Sequence, residues 1–231
     1  MQHFLGGKIK MNCRYRVKQS LMGWIMVTGL ILPLGVGAQA ATSSPRDIVL
    51  ETSQRVLKEL QDQQVTPADN PEYFYRLADE FIVPHFNFRR MSQRVLGKHW
   101  RQATQEQKAD FTNQFRQLLV RTYVTALHSY SAKDIRDFLQ ERIKVLPVNY
   151  PPEATRVGVK VQVEGDKGRP PINMMLNLYL DQNKAWKVDD VQVEGVSLVT
   201  NYRASFYREI RANGLQGLID RLTARNQQAM K

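Results

Sequence analysis

The sequence predicts an α+β domain in which several helices cover the apolar face of a four-stranded antiparallel sheet. Three features of the pattern carry this. Apolar residues recur at intervals of three and four from Pro45 to about residue 140. The period then falls to two across four runs, and the helical period returns from Ser197. No internal repeat, low-complexity tract or long Gly/Ser linker interrupts this order, so 41–231 reads as one domain.

Residues 1–40 stand apart. They carry Lys8, Lys10, Arg14, Arg16 and Lys18 and no acidic residue, and no charge occurs from Gln19 to Pro45. The mostly apolar run Leu21–Val36 ends in Ala38-Gln39-Ala40, small residues where signal peptidase needs them. A retained membrane anchor is the competing reading. Pro33, Gly35 and Gly37 leave too few consecutive apolar residues for the ~20 that span a bilayer. Residues 1–40 therefore read as a cleaved signal peptide.

Pro45 opens the first helix at a position where its missing N–H does no harm. Ile48, Val49, Val56, Leu57 and Leu60 form its apolar face. A second helix follows Asn70-Pro71, with Tyr73, Phe74, Leu77, Ala78 and Phe81 at helical spacing, and stops before Pro84. A third begins near Asn87, a good N-cap, and ends at Leu96-Gly97. Thr104-Gln105-Glu106-Gln107 is a capping box that starts a longer helix. Its stripe runs through Phe111, Phe115, Leu118, Leu119, Thr122, Ala126 and Leu127.

The strand runs follow. Ile143 and Val145 alternate with basic neighbours, then Val157, Val159, Val161 and Val163 alternate with polar or small ones. Ile172, Met174, Leu176, Leu178 and Leu180 form the clearest apolar face. Asp181-Gln182-Asn183-Lys184 turns the chain into Trp186 and Val188. The apolar phase then slips to Val191 and Val193 across Asp189-Asp190, which predicts a β-bulge. From Leu198 the helical stripe includes Val199, Tyr202, Phe206 and Ile210, then Leu215, Leu218, Ile219 and Leu222.

Composition excludes several classes. The chain of 231 residues is 42% apolar and 24% charged, too apolar for a disordered tail and too charged for a polytopic membrane protein. Its one cysteine, Cys13, excludes a disulfide scaffold and lies in the leader. Formal charge is +11, but without residues 1–40 it is 28 basic against 22 acidic residues, or +6. Half of the basicity is targeting, which weakens a nucleic-acid reading.

Catalytic patterns are sparse. His85, His99 and His128 sit in three different elements without metal-ligand spacing. Gly195-Val196-Ser197 lacks the G-x-S-x-G elbow. Asp189, Asp190 and Glu194 are carboxylates near a strand end, but adjacent strand residues face opposite ways and make a poor acid/base pair. What stands out is the apolar inventory. The strand face, with Phe86, Phe88, Phe111, Phe115, Tyr123 and Phe206, forms either a solid core or, if the sheet curls away, a deep cleft for lipidic ligands. Periodicity leaves both open. A hydrolase using one of the histidines and a protein-binding adaptor are the competing functions.

Two strings are specific. Val95-Leu96-Gly97-Lys98-His99-Trp100-Arg101-Gln102-Ala103-Thr104, then Gln107 and Phe111 through Leu119-Val120-Arg121-Thr122-Tyr123, form the first. Trp186-Lys187-Val188, Asp190-Val191, Glu194-Gly195-Val196-Ser197-Leu198-Val199, Asn201-Tyr202-Arg203 and Phe206 form the second. Together they resemble the MlaC family of periplasmic phospholipid-binding, or toluene-tolerance, proteins over about Pro45 to Leu222. Asn87 stands where that family usually has Asp, and Asp189 where an aromatic residue is frequent.

The resemblance implies a twisted sheet wrapped by helices, similar to the nuclear-transport-factor-like class, with an apolar cleft between them. It implies a periplasmic carrier rather than an enzyme, with phospholipid as cargo and no cofactor. The implied partners are an inner-membrane ABC transporter complex with an MCE-domain subunit, an outer-membrane lipoprotein–porin complex and, transiently, the membrane surface. Tyr123 and Val196 lie inside the matching strings and are expected to line the cleft. Met174, Leu176 and Leu178 are expected there from strand alternation, with Val191 and Val193 beyond the bulge. Phe115, Leu119, Leu127 and Phe206 complete the expected lining from the helices. At ~0.8 kcal/mol per methylene, two buried tails gain roughly 25 kcal/mol, about what a bilayer offers, so transfer can run either way.

Overall fold

The computed structural model of the chain describes residues 43–61, 66, 68–126, 132–164 and 170–228. The expected signal peptide and Leu127 lie outside the described residues. Helix α1 (Pro45–Gln61) begins where Ser44 Oγ accepts the Asp47 N–H at 3.2 Å. Helix α2 (Pro71–Leu77) is capped by Asn70, whose Oδ1 accepts the Tyr73 N–H at 3.1 Å. It does not run regularly to Pro84 as the spacing predicts. The chain widens to a π turn over Ala78–Ile82 and tightens to a 3₁₀ turn over Val83–His85. Pro84 ends regular helix because it has no N–H to donate.

Asn87 caps α3 (Phe88–Leu96), accepting the Arg90 N–H at 2.9 Å, so asparagine serves as the sequence reading expects. Gly97 then turns at φ +51 into the short α4 (Lys98–Gln102). The capping box opens α5 (Gln105–Ala126): Thr104 Oγ1 accepts the Gln107 N–H at 3.1 Å, and Gln107 Oε1 accepts the Thr104 N–H at 3.2 Å. Helix α6 (Ala132–Asp137) loosens to a second π turn, Phe138–Arg142, before the sheet. The last helical region, α7 (Leu198–Gln228), is interrupted at Gly214, where φ is +71.

The sheet has five strands, not four: β1 (Ile143–Val145), β2 (Arg156–Val163), β3 (Ile172–Leu180), β4 (Trp186–Val193) and β5 (Val196–Ser197). They are antiparallel in chain order. Glu194 and Gly195, at φ 48 and 78, turn the chain back within two residues. Val196 and Ser197 then pair with Val193 and Gln192. Two residues are too few to show a period, so the sequence conceals this strand.

The expected bulge is present. Asn177 pairs with Asp190 and Leu178 with Val188, which leaves Asp189 as the extra residue. Its carboxylate is fully buried and receives Arg90 Nε at 2.7 Å, Arg94 Nη1 at 2.9 Å and Arg156 Nη2 at 3.0 Å. Arg90 also lies 4.1 Å over the Tyr179 ring. Asp190 accepts Ser197 Oγ at 2.7 Å and the Val199 N–H at 3.2 Å, anchoring the start of α7. Both carboxylates are thus engaged in holding helices to the sheet.

Three apolar clusters result. Helices α3, α5 and α7 meet around Val95, Phe111, Phe115, Phe206 and Leu218. The sheet face gathers Val159, Leu178, Trp186 and Val188, with Ile48 and Val49 of α1 packed on it. Leu60, Phe74, Leu77, Val124 and Ile135 join α1, α2, α5 and α6.

Candidate functional site

A cavity of about 380 Å³ lies where the three clusters meet. This falls at the lower end of the ~300–1,000 Å³ found for ligand pockets. The sheet contributes Met174, Val191 and Val193 to its wall. Helix α5 contributes Leu119, Val120, Tyr123 and Val124, and α3 contributes Met91. Helices α1, α2, α6 and α7 add residues such as Leu60, Phe74, Ile135 and Leu198, and the irregular segments supply Ala78, Ile82 and Val83 from the first and Phe138 and Leu139 from the second. Every lining residue is aliphatic, aromatic or methionine, so a guest that fits must itself be apolar. Ile82 and Tyr123 are 40% and 49% exposed and open the cavity to solvent. Burial, followed by the nearby Tyr202, raises the Tyr123 phenol above its ordinary value, so it stays neutral.

The structure brings together Leu119, Tyr123, Met174, Val191 and Val193 of the expected lining. Leu127 lies outside the described residues, and the remaining ones stand elsewhere. Phe115 is fully buried between α5 and α7, 5.7 Å from the Phe111 ring, and Phe206 stands edge-on to both. Leu178 is buried in the sheet cluster, and Leu176 packs against that cluster beside Val159 and Val191. Val196 is 60% exposed on β5. Ile82, Val83, Phe138 and Leu139 escaped the sequence reading because π and 3₁₀ turns break the 3.6-residue stripe. The one local signal was Pro84 beside Ile82 and Val83.

The two described histidines, His85 and His99, lie in separate elements. His85 lies half-buried in the 3₁₀ turn, and His99 packs edge-on to Tyr207 at 4.9 Å. His128 lies outside the described residues. Among the described residues no three His, Cys, Asp or Glu side chains are grouped to hold a metal, and no helix is long and apolar enough to cross a membrane.

The family model described as MlaC protein matches residues 50–224. The chain belongs to the MlaC family. It is 21% identical over 206 residues to the intermembrane phospholipid transport system binding protein MlaC of Haemophilus influenzae, covering 87% of this chain and 92% of that one. It is 26% identical over 176 residues to the toluene tolerance protein ttg2D of Pseudomonas putida, covering 75% and 76%. The phospholipid-binding protein from Ralstonia solanacearum, solved in complex with a phospholipid, matches with a TM-score of 0.68 at 27% identity. That likeness covers 82% of this chain and 100% of the other. Membership in the MlaC family thus accompanies both a shared fold and a cavity with an apolar wall.

Proposed function

We propose that this protein is a phospholipid carrier that holds acyl chains in the cavity between sheet and helices and ferries them between membranes. The observation that carries this is the wholly apolar lining of a cavity of about 380 Å³ in a member of a family whose solved relative holds a phospholipid. Each methylene moved from water into such a wall gains ~0.8 kcal/mol, close to what a bilayer returns. The protein therefore lowers the barrier of crossing water without fixing the direction, which falls to its partners.

In this reading residues 1–40 are cleaved after Ala40 and the mature protein works in the periplasm. It exchanges cargo with an inner-membrane ABC transporter complex carrying an MCE-domain subunit and with an outer-membrane lipoprotein–porin complex. It performs no chemistry on the lipid. Met174, Val191, Val193, Leu119 and Tyr123 contact the acyl chains. Native mass spectrometry of protein purified gently from its own host tests this. Phospholipid-sized adducts that persist unhydrolysed for hours are expected; lipid-free protein, or steady release of fatty acid, defeats the proposal.

A further inference from the structure

The irregular segment Ala78–His85, which joins α2 to α3, lines the cavity as a strap anchored at both ends. Before it, the Tyr73 hydroxyl of α2 donates to the Glu59 carbonyl of α1 at 3.0 Å. At its far end Lys187 Nζ of β4 donates to the Pro84 carbonyl at 2.7 Å, and the Asn87 N–H donates to the Val188 carbonyl at 2.9 Å. Between these anchors lies the π turn Ala78–Ile82, closed by the Val83 N–H on the Ala78 carbonyl. An ion pair ties this turn to α5: Arg116 Nη1 donates to Asp79 Oδ1 at 2.7 Å. Arg116 precedes Leu119, Val120 and Tyr123 by three, four and seven residues and shares their face of α5. Asp79 follows Ala78 and precedes Ile82 by three. The pair therefore bridges the two elements whose exposed residues, Ile82 and Tyr123, open the cavity.

A carrier must keep acyl chains from water in transit and still release them, so its mouth has to open and close. A π turn has already left the α register, so it can shift without unmaking a regular helix, and such turns are frequent at functional sites. The Asp79 and Arg116 side chains are 51% and 34% exposed, so water competes for the pair and it can part and re-form. We propose that Ala78–His85 is a movable strap on the cavity and that the Asp79–Arg116 pair is its clasp, setting how fast phospholipid enters and leaves. This rests on the carrier reading and adds the regulation of the same cavity. Asp79 and Arg116 are positioning residues: they act through Ala78, Ile82 and Val83 of the wall and touch no cargo themselves.

The test follows transfer of a fluorescent phosphatidylcholine between the mature protein and phosphatidylcholine vesicles, in both directions. Asp79→Asn should raise the rates of loading and release together, roughly two- to fivefold, the worth of a partly exposed ion pair. The amount bound at equilibrium should stay the same. Asp79→Lys sets two like charges face to face and should raise both rates further. The exchanged pair Asp79→Lys/Arg116→Asp should bring them back near wild type. Unchanged rates in Asp79→Asn, or raised rates that the exchanged pair fails to restore, overturn the proposal. So does a lower melting temperature of Asp79→Asn without a joint rise of both rates, which is the mark of a merely structural contact. Hydrogen exchange on the lipid-free proteins separates the clasp from the carrier reading. The amides of Phe81, Ile82 and Val83 should exchange faster in Asp79→Asn than in wild type, and equal protection overturns the clasp. Wild type that takes up no lipid defeats the carrier reading, and the hydrogen exchange then decides the clasp alone.

Discussion

Met174 of β3 stands directly opposite Val193 of β4, and both side chains line the cavity. Four residues along β3, Leu178 faces Val188 on the same side of the sheet and is sealed in the core at 1% exposure. One strand face therefore serves two purposes, wall at one end and packing at the other.

That division can be read out with a charge. Met174→Glu places a carboxylate where water can enter the empty cavity, so the fold should survive with a loss of about 1 kcal/mol. Bound lipid should vanish, because the loaded state would bury the charge in hydrocarbon at several kcal/mol. Leu178→Glu has no water to draw on and should remove several kcal/mol, most of a stability of ~5–15. Circular dichroism melting and lipid extraction from the same samples check both. Lipid retained by folded Met174→Glu would move the cargo elsewhere.

Asp189 draws three arginines onto a fully buried carboxylate. Asp189→Asn should leave them repelling one another and destabilise the protein by about 2–3 kcal/mol. That is below the ~3–5 of a fully buried pair, because the arginine side chains are 41%, 35% and 51% exposed. Urea unfolding measures it. A loss under about 0.5 kcal/mol, the scale of an ordinary surface substitution, would show that the bulge holds without its charge.

His85 is held below its ordinary value near 6.5, first by burial and then by Lys187 and Arg55, with Glu51 opposing. The unfolded chain therefore binds this proton at a pH where the folded one does not. Stability from this group is complete above about 6.5 and is lost as pH falls through the folded value. His99 is shifted the same way, by burial and Lys98. Melting temperatures of His85→Gln should fall less between pH 7 and pH 5 than those of wild type. Parallel curves would assign the acid sensitivity to other groups.

Gly97 turns α3 into α4 at φ +51, and a Cβ there would collide with the Tyr207 hydroxyl. Gly97→Ala should cost about 1–3 kcal/mol in chemical denaturation from the backbone alone. Adding Tyr207→Phe removes the oxygen but not the strained φ, so the double variant should recover only part of the loss. Full recovery would make the clash, not the backbone, the reason for glycine.

Much of the fold was legible in the chain. The caps at Asn70, Asn87 and Thr104 are local hydrogen bonds between residues three apart, so they are written in adjacent letters. The alternation of β2 and β3 and the slip at Asp189 are equally local, and the structure places the bulge there. The fifth strand was not legible, because two residues after a turn carry no period.

The sequence by itself determined which face of each helix and strand is apolar, where the elements begin, and which family the chain resembles. Only the tertiary structure decided which apolar residues meet a neighbour and which meet a void. Ile48 and Val49 pack on the sheet cluster that holds Leu178, while the segments that leave the helical period close around Met174 and Val193. The partners of Asp189 come from 99, 95 and 33 positions away, beyond any local pattern. Periodicity records an element's own preference for water or for apolar surroundings. Whether the space opposite is filled depends on how far apart other elements are held, and that distance belongs to no single stretch of chain.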